Sequence, residues 1–220
     1  MNRILMSAFF LLASIHCFAW QGTFKQKYTS ATNKGTSVTV TWYVTDTDCK
    51  MQMDFEGQDI KSTTFFLPDL KGSQLLTYTV GGVTNVKFPD TTKKYFAIPL
   101  NIIQQNANLG VSRVNVIKTG ETKVIQGMNC EKVLVKTNLN ETEMWVSKDF
   151  QPQFYKFYSC FRSSFEIMGL YEEKMLGFPV QSVTKDLSGQ VISSYDILSI
   201  QAQELTSKDF TVPTEYKLVK

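Results

Sequence analysis

Along most of the chain, apolar and polar side chains alternate one by one in short runs broken by turn residues. The clearest run covers residues 36–45 (TSVTVTWYVT), where Val38, Val40, Trp42 and Val44 point one way and Thr39, Thr41, Tyr43 and Thr45 the other. Period two in β-branched and aromatic residues predicts a half-buried strand. Asn33-Lys34-Gly35 is a turn signal joining it to an earlier strand over residues 24–30. Met51, Met53 and Phe55 repeat the alternation against Gln52 and Asp54. Further strands are predicted over 62–67, 75–80, 85–88 and 94–98, punctuated by Pro68, Gly72, Gly81-Gly82 and Pro89. The second half continues with 112–118, 123–126, 131–137 and 143–147, turning at Thr119-Gly120, Gly127 and Asn138 to Asn140. A last hairpin pairs 179–185 with 190–200 across Asp186-Leu187-Ser188-Gly189. This spacing is that of a meandering antiparallel sheet.

Two segments change period and read as helices. Residues 99–108 start with proline in the first turn, end before Gly110 and carry Leu100, Ile103 and Ala107 on one face. Residues 161–176 place Phe161, Phe165, Met168 and Met175 at helical spacing, although Gly169 weakens that helix. No repeat, low-complexity tract or linker divides residues 20–220, which are read as one domain. Strands with one apolar face must bury it, so the expected fold is mainly β with some helix (α+β). The expected form is a strongly curved antiparallel sheet, or half-open β-barrel, with one or two helices closing its concave side. A two-sheet sandwich is the alternative packing. The difference matters because a half-closed barrel can leave an interior cavity.

The first nineteen residues follow a different pattern. Asn2-Arg3 give a short positive start, residues 4–15 a mostly apolar run, and Cys17-Phe18-Ala19 a triplet with small residues at its ends. These are the three regions of a secretory signal peptide, with cleavage expected after Ala19. The run is too short to span a bilayer, which takes about 20 residues. A lipidated Cys17 would want a small residue before it, and His16 is not small. No other segment is long and apolar enough to cross a membrane, so residues 20–220 are expected in the periplasm or outside the cell.

Removing Arg3 takes the 23 basic residues to 22 against 20 acidic ones, a net +2. The charges are interspersed, which leaves no electrostatic footprint for nucleic acid. Cleavage also removes His16, the chain's one histidine, and leaves Cys49, Cys130 and Cys160. An oxidising compartment permits a disulfide among these three with one thiol left over, and no C-x-x-C spacing selects the pair. Without histidine, a zinc site or a Cys-His nucleophile has no support, and no metal or cofactor is expected.

From Thr119 the chain reads T-G-E-T-K-V-I-Q-G-M-N-C-E-K-V-L-V-K and then E-T-E-M-W-V-S-K-D. Later it reads G-F-P-V-Q-S-V-T-K-D-L-S-G-Q-V, and near its end D-F-T-V-P-T-E-Y-K-L-V. These blocks resemble an uncharacterised family of secreted bacterial domains similar to the periplasmic lipoprotein carriers, which have a LolA-like fold. The resemblance covers about a quarter of residues 20–220. It implies a half-open β-barrel with helices capping an apolar cavity that, in the best-known relatives, holds acyl chains. It implies no reaction and carries over no catalytic residue. Each block also has a plain structural reading: Gly120 and Gly127 as turns, Trp145 on a strand whose Met144 and Val146 face the other way, and Phe210, Val212 and Tyr216 docking the chain end.

The chemistry that remains is thin. A Ser-His-Asp hydrolase needs a histidine base. Ser147-Lys148 are strand neighbours and point to opposite faces. Glu172-Glu173 are helix neighbours and do not converge. Asp46-Thr47-Asp48 lacks the glycine and distal glutamate of a calcium loop. Asn140-Glu141-Thr142 is a glycosylation sequon, which marks an exposed turn. An enzyme is therefore not expected. Trp42, Met51, Met53, Phe55, Met144, Phe165 and Met168 are the flexible or aromatic residues on inward faces, and are the candidates to line a cavity. A solid core built from the same residues is the competing reading. The functional expectation is non-catalytic binding of a hydrophobic ligand, a lipid or lipoprotein acyl chains, in the cell envelope. The alternative is an envelope protein-interaction or structural module with a protein partner.

Overall fold

The computed structural model describes residues 20–31, 37–55, 63–67, 74–79, 94–99, 115–150 and 177–219. Twelve strands form one open sheet: β1 Gly22–Ser30, β2 Ser37–Val44, β3 Cys49–Phe55, β4 Thr63–Leu67, β5 Gln74–Thr79, β6 Lys94–Pro99, β7 Asn115–Ile125, β8 Met128–Lys136, β9 Asn140–Ser147, β10 Phe178–Asp186, β11 Val191–Ala202 and β12 Lys217–Leu218. Their order is β12-β6-β5-β4-β3-β2-β1-β11-β10-β9-β8-β7, antiparallel throughout except that β12 joins β6 in parallel. Consecutive strands are neighbours in the sheet except β6 and β7 and β11 and β12, and the two halves of the sheet meet where β11 lies beside β1. The expected curved antiparallel sheet is present. The expected helices over 99–108 and 161–176 lie outside the described residues, apart from Pro99, which ends β6. So does the strand expected over 85–88. Among the described residues the helical structure is a short 3-10 turn, Ser207–Phe210, and no helix is long and apolar enough to cross a membrane.

The sheet curves towards its apolar face. Phe24 on β1 and Phe178 on β10 have ring centroids 5.6 Å apart although β11 runs between their strands. In a flat sheet two strand spacings would separate them by about 10 Å.

One expectation is corrected. Thr119-Gly120 does not turn the chain; residues 115–125 run through as the single edge strand β7. The register with β8 shifts between Lys118 and Thr122, where Gly120 takes φ +81°. The extra residues are absorbed as a bulge, which only a residue tolerant of positive φ accepts cheaply. The Thr119 hydroxyl fixes it by donating to the Lys132 carbonyl at 3.1 Å and accepting the Glu121 N–H at 3.2 Å. The turn signals at Gly127, Asn138 to Asn140 and Asp186 to Gly189 do close hairpins, whereas those at Asn33-Lys34-Gly35, Pro68, Gly72, Gly81-Gly82 and Pro89 lie outside the described residues. Gln126-Gly127 joins β7 to β8, Thr137 Oγ1 accepts the N–H groups of Leu139 and Asn140, and Asp186 Oδ1 accepts those of Ser188 and Gln190.

Candidate functional site

Pairing carries one apolar face across six strands. Met144, Ser182, Tyr195, Tyr28, Val38 and Phe55 are successive partners from β9 to β3, and directly paired residues share a face. Alternation along β2 puts Val40, Trp42 and Val44 on the same side, opposite Met53, Met51 and Cys49. Trp42, Met51, Met53 and Phe55 therefore sit together, and Met144 stands on the same face at the far end of the row. Phe165 and Met168 lie outside the described residues, as does Cys160.

Burial along this face is graded. At one end Trp42 is 2% exposed and Met51 4%, and Phe24, Val44, Cys49 and Phe178 are buried with them. The Phe24 ring stacks on Trp42 at 6.0 Å and meets Phe150 edge-on at 5.6 Å, while Phe150 meets Phe178 at 4.8 Å and Trp20 at 4.7 Å. Such edge-to-face aromatic packing fills this end solidly. At the other end of the same three strands Tyr28, Val38, Met53 and Phe55 are only half-buried. The apolar face is thus filled at the Trp42 end and half-open at the Phe55 end.

Between the two ends lies a polar group that the alternation pattern hides. Gln26 is 0% exposed. Its Oε1 accepts Trp42 Nε1–H at 2.7 Å and the Tyr28 hydroxyl at 3.5 Å, and its Nε2 donates to the Tyr195 hydroxyl at 2.9 Å. Tyr195 in turn donates to the Pro179 carbonyl at 2.9 Å. One chain of hydrogen bonds thus ties β2, β1, β11 and β10 beneath the apolar face. Burial pushes the Tyr28 phenol far above the ordinary tyrosine range, so it stays a donor at any physiological pH. A signal for Gln26 existed in the sequence: in Phe24-Lys25-Gln26-Lys27-Tyr28 it occupies an apolar-parity position between two lysines.

The opposite face is charged. Lys132, Trp145, Gln181, Asp196, Lys27, Thr39 and Asp54 are the successive partners there. Lys123 Nζ lies 4.1 Å from the Trp145 ring centroid and donates to Gln181 at 2.7 Å. Lys132 pairs with Glu121 at 3.2 Å and Glu143 at 3.3 Å, and Lys185 reaches Glu143 at 2.7 Å. Hydrogen bonds from Lys185 and Lys132 hold the Glu143 carboxyl below the usual carboxylate range, and the bond with Glu121 raises Lys132. Lys132, Lys185, Glu121 and Glu143 thus form a lattice of ion pairs on this polar face.

The remaining candidate groups are dispersed. Cys49 and Cys130 are both buried and carry free thiols, which burial pushes above their ordinary pKa. Ser147, the last residue of β9, is buried next to the buried Val146, so alternation breaks there, and Lys148 just beyond the strand is exposed. The sequon is not an exposed turn: Asn140 is half-buried in β9 and accepts the Thr137 hydroxyl at 3.0 Å, while Thr142 is buried against Thr184. Among the described residues no three His, Cys, Asp or Glu side chains are grouped as a metal ion would need.

No curated relative matches the sequence. An uncharacterized conserved protein from Thermus thermophilus is similar in structure, with a TM-score of 0.50 at 9% identity, covering 90% of each chain. The complex of Pseudomonas aeruginosa MucA and MucB contains a chain similar to this one at a TM-score of 0.50 and 10% identity. The match covers 90% of this chain and 57% of that one, so this chain spans little more than half of that relative's length. At such identities the likeness concerns the fold alone, and it fits an uncharacterised domain with a LolA-like fold. The chain matches the family described as "Domain of unknown function (DUF4412)" over residues 20–216, and it belongs to that family.

Proposed function

We propose that this protein is an exported, non-catalytic binder of a hydrophobic ligand, a lipid or the acyl part of a lipoprotein, held against the half-open end of its apolar sheet face. The observation that carries the reading is the burial gradient. The same face of β1–β3 is packed solid at Trp42 and Met51 and leaves Tyr28, Val38, Met53 and Phe55 half-buried at its other end. Half-covered aromatic and Met side chains on a concave surface suit an acyl chain, because thioether and ring surfaces adapt to flexible apolar partners. The charged lattice on the opposite face offers no such complement. Export rests on the signal-peptide pattern of residues 1–19.

Native mass spectrometry of the protein purified from its own host without detergent tests this. The wild type is expected to retain a lipid-sized adduct, and Phe55→Arg to lose it while keeping the wild-type circular dichroism. Absence of any adduct, together with no uptake of a fluorescent fatty acid, would overturn the reading. A protein-interaction module is the second reading, favoured by the likeness to a chain in the MucA/MucB complex. It predicts a lipid-free protein that captures one constant envelope partner.

A further inference from the structure

We propose that the tips of the β8–β9 and β10–β11 hairpins form a membrane-contact edge that places the protein on a lipid bilayer. Such an edge is separate from the ligand face and uses different residues.

Asn140 and Asp186 are the last paired residues of the β9–β10 ladder. Leu139 precedes the first and Leu187 follows the second, so in antiparallel strands both extend past the ladder in the same direction. Leu139 is 54% exposed and Leu187 75%. Val191, the partner of Lys185, begins β11 beside them and is also exposed. Turn positions ordinarily carry polar residues or glycine. Here the polar residues make the turn bonds and the leucines are left pointing into water. Thr137 Oγ1 accepts the Leu139 N–H at 3.1 Å, and Asp186 Oδ1 accepts the Ser188 N–H at 2.9 Å. Each tip is therefore held in shape by its own hydrogen bonds while its leucine protrudes.

Scattered single apolar residues on a surface need no explanation. Two leucines on adjacent hairpins, both directed off the same end of the sheet, are a different matter. It is the end at which β1–β3 leave Tyr28, Val38, Met53 and Phe55 half-buried, while Met144, Thr142 and Thr184 next to the tips are buried. The row Tyr28, Tyr195, Ser182 and Met144 is followed by Ser30, Ser193, Thr184 and Thr142, and then by the tips. A convex pair of tips fits the interfacial layer of a bilayer, where protruding apolar side chains bury into the acyl boundary. The flanking charges set the headgroup preference. Lys136 pairs with Glu141 at 2.6 Å and Lys185 with Glu143 at 2.7 Å, so the edge carries no uncompensated positive cluster. Contact driven by leucine burial should need no anionic lipid and should tolerate salt.

Sedimentation of the full chain with phosphatidylcholine vesicles, with and without one-fifth phosphatidylglycerol, tests this. Wild-type protein is expected to partition onto both vesicle types alike and to stay bound at 0.5 M salt. Leu139→Ser and Leu187→Ser should each weaken partitioning about ten-fold, as lost burial of a leucine requires. Leu198→Ser removes a leucine 44% exposed on β11, away from the tips, and should change nothing. No partitioning by the wild type, equal partitioning by the double tip variant, or binding confined to anionic vesicles would each overturn the proposal. Self-association of the wild type abolished by the tip substitutions without vesicle binding would also overturn it, in favour of a contact between copies. A retained lipid adduct in tip variants that no longer bind vesicles would uphold both readings. Failure of the tips therefore remains distinguishable from failure of the ligand site.

Discussion

A single buried glutamine, Gln26, links β1 to β2 and β11 through its side chain, and Tyr195 carries the link on to β10. Leucine or valine at position 26 would satisfy the alternation of β1 equally well, but would leave Trp42 Nε1–H and the Tyr195 hydroxyl without their Gln26 partner. Losing a partner inside the core exposes the other group's full desolvation cost, about 1–3 kcal/mol. Gln26→Leu is accordingly expected to lower the unfolding free energy by about that amount in urea titrations. Gln26→Glu should be worse at neutral pH, because burial disfavours the charged carboxylate and raises its pKa in the folded state. A group with a raised folded pKa gives its stability below the unfolded pKa and loses it as pH rises, so Gln26→Glu should recover on acidification. An unchanged midpoint for Gln26→Leu would show that water or a rearranged Tyr195 replaces the amide. The residues that pattern alone reveals, Trp42, Met51, Met53 and Phe55, are those whose position follows from period two. The parity of β1 marks Gln26 for the apolar face, but its partners on β2 and β11 lie 16 and 169 positions away, and parity alone does not name them.

At the scale of elements, alternation locates strands well and punctuation less well. Met128 and Cys130 are buried at the start of β8, but Val133 and Val135 further along it, so the buried parity changes within one strand. That change sits opposite the β7 bulge at Gly120, which in the bare sequence looks like a turn glycine. The hairpin reading failed there because a bulge and a turn use the same positive-φ chemistry and differ only in whether the partner strand continues. Two glycines separate the conformational cost from the packing cost. At Gly120 a Cβ would meet nothing within 4 Å, so Gly120→Ala should cost only the backbone strain of φ +81°, about 1–2 kcal/mol. At Gly22, φ is +153° and a Cβ would lie 2.1 Å from the Gln201 carbonyl oxygen. That atom is backbone of β11, so Gly22→Ala must push β1 and β11 apart. It should be the more damaging of the two by about 2 kcal/mol, given that overpacking against an unyielding neighbour costs about 1–3 kcal/mol beyond strain. Equal thermal midpoints for the two variants would refute the assignment of close β1–β11 contact.

For the whole molecule, the question is what keeps a sheet of this width curved when its two edges, β7 and β12, are not joined to each other among the described residues. The C-terminal segment supplies an answer for one half. β11 ends beside β1, yet β12 pairs with β6, so residues 203–216 must cross β1 to β6, seven strand spacings from β11 to β12 or about 34 Å along the sheet. They pass over the charged side. Tyr43 and Lys50 are partners on the face opposite Trp42 and Met51, and the Asp209 carboxylate lies close enough to raise the Tyr43 phenol after burial has done so. The 3-10 turn that carries Asp209 is closed by a capping box with Thr206, whose backbone N–H donates to the carboxylate at 2.7 Å. Beyond it Tyr216 is buried against Tyr95, Phe210 and Val212, which anchors the far end before β12 completes the edge. The segment is thus a strap fixed at both ends across the outer face. Removing it should release β4–β6 while leaving β8–β10 held by their own ladders and by the Phe24–Phe178 packing. A chain truncated after Ala202 is therefore expected to exchange the backbone amides of β4–β6 about ten-fold faster than the full chain, with β8–β10 little changed. Uniform acceleration across both halves would mean that the strap only adds global stability. Unchanged protection in β4–β6 would mean that the sheet holds its curvature without the strap, and that its shape is set by twist and the aromatic core alone.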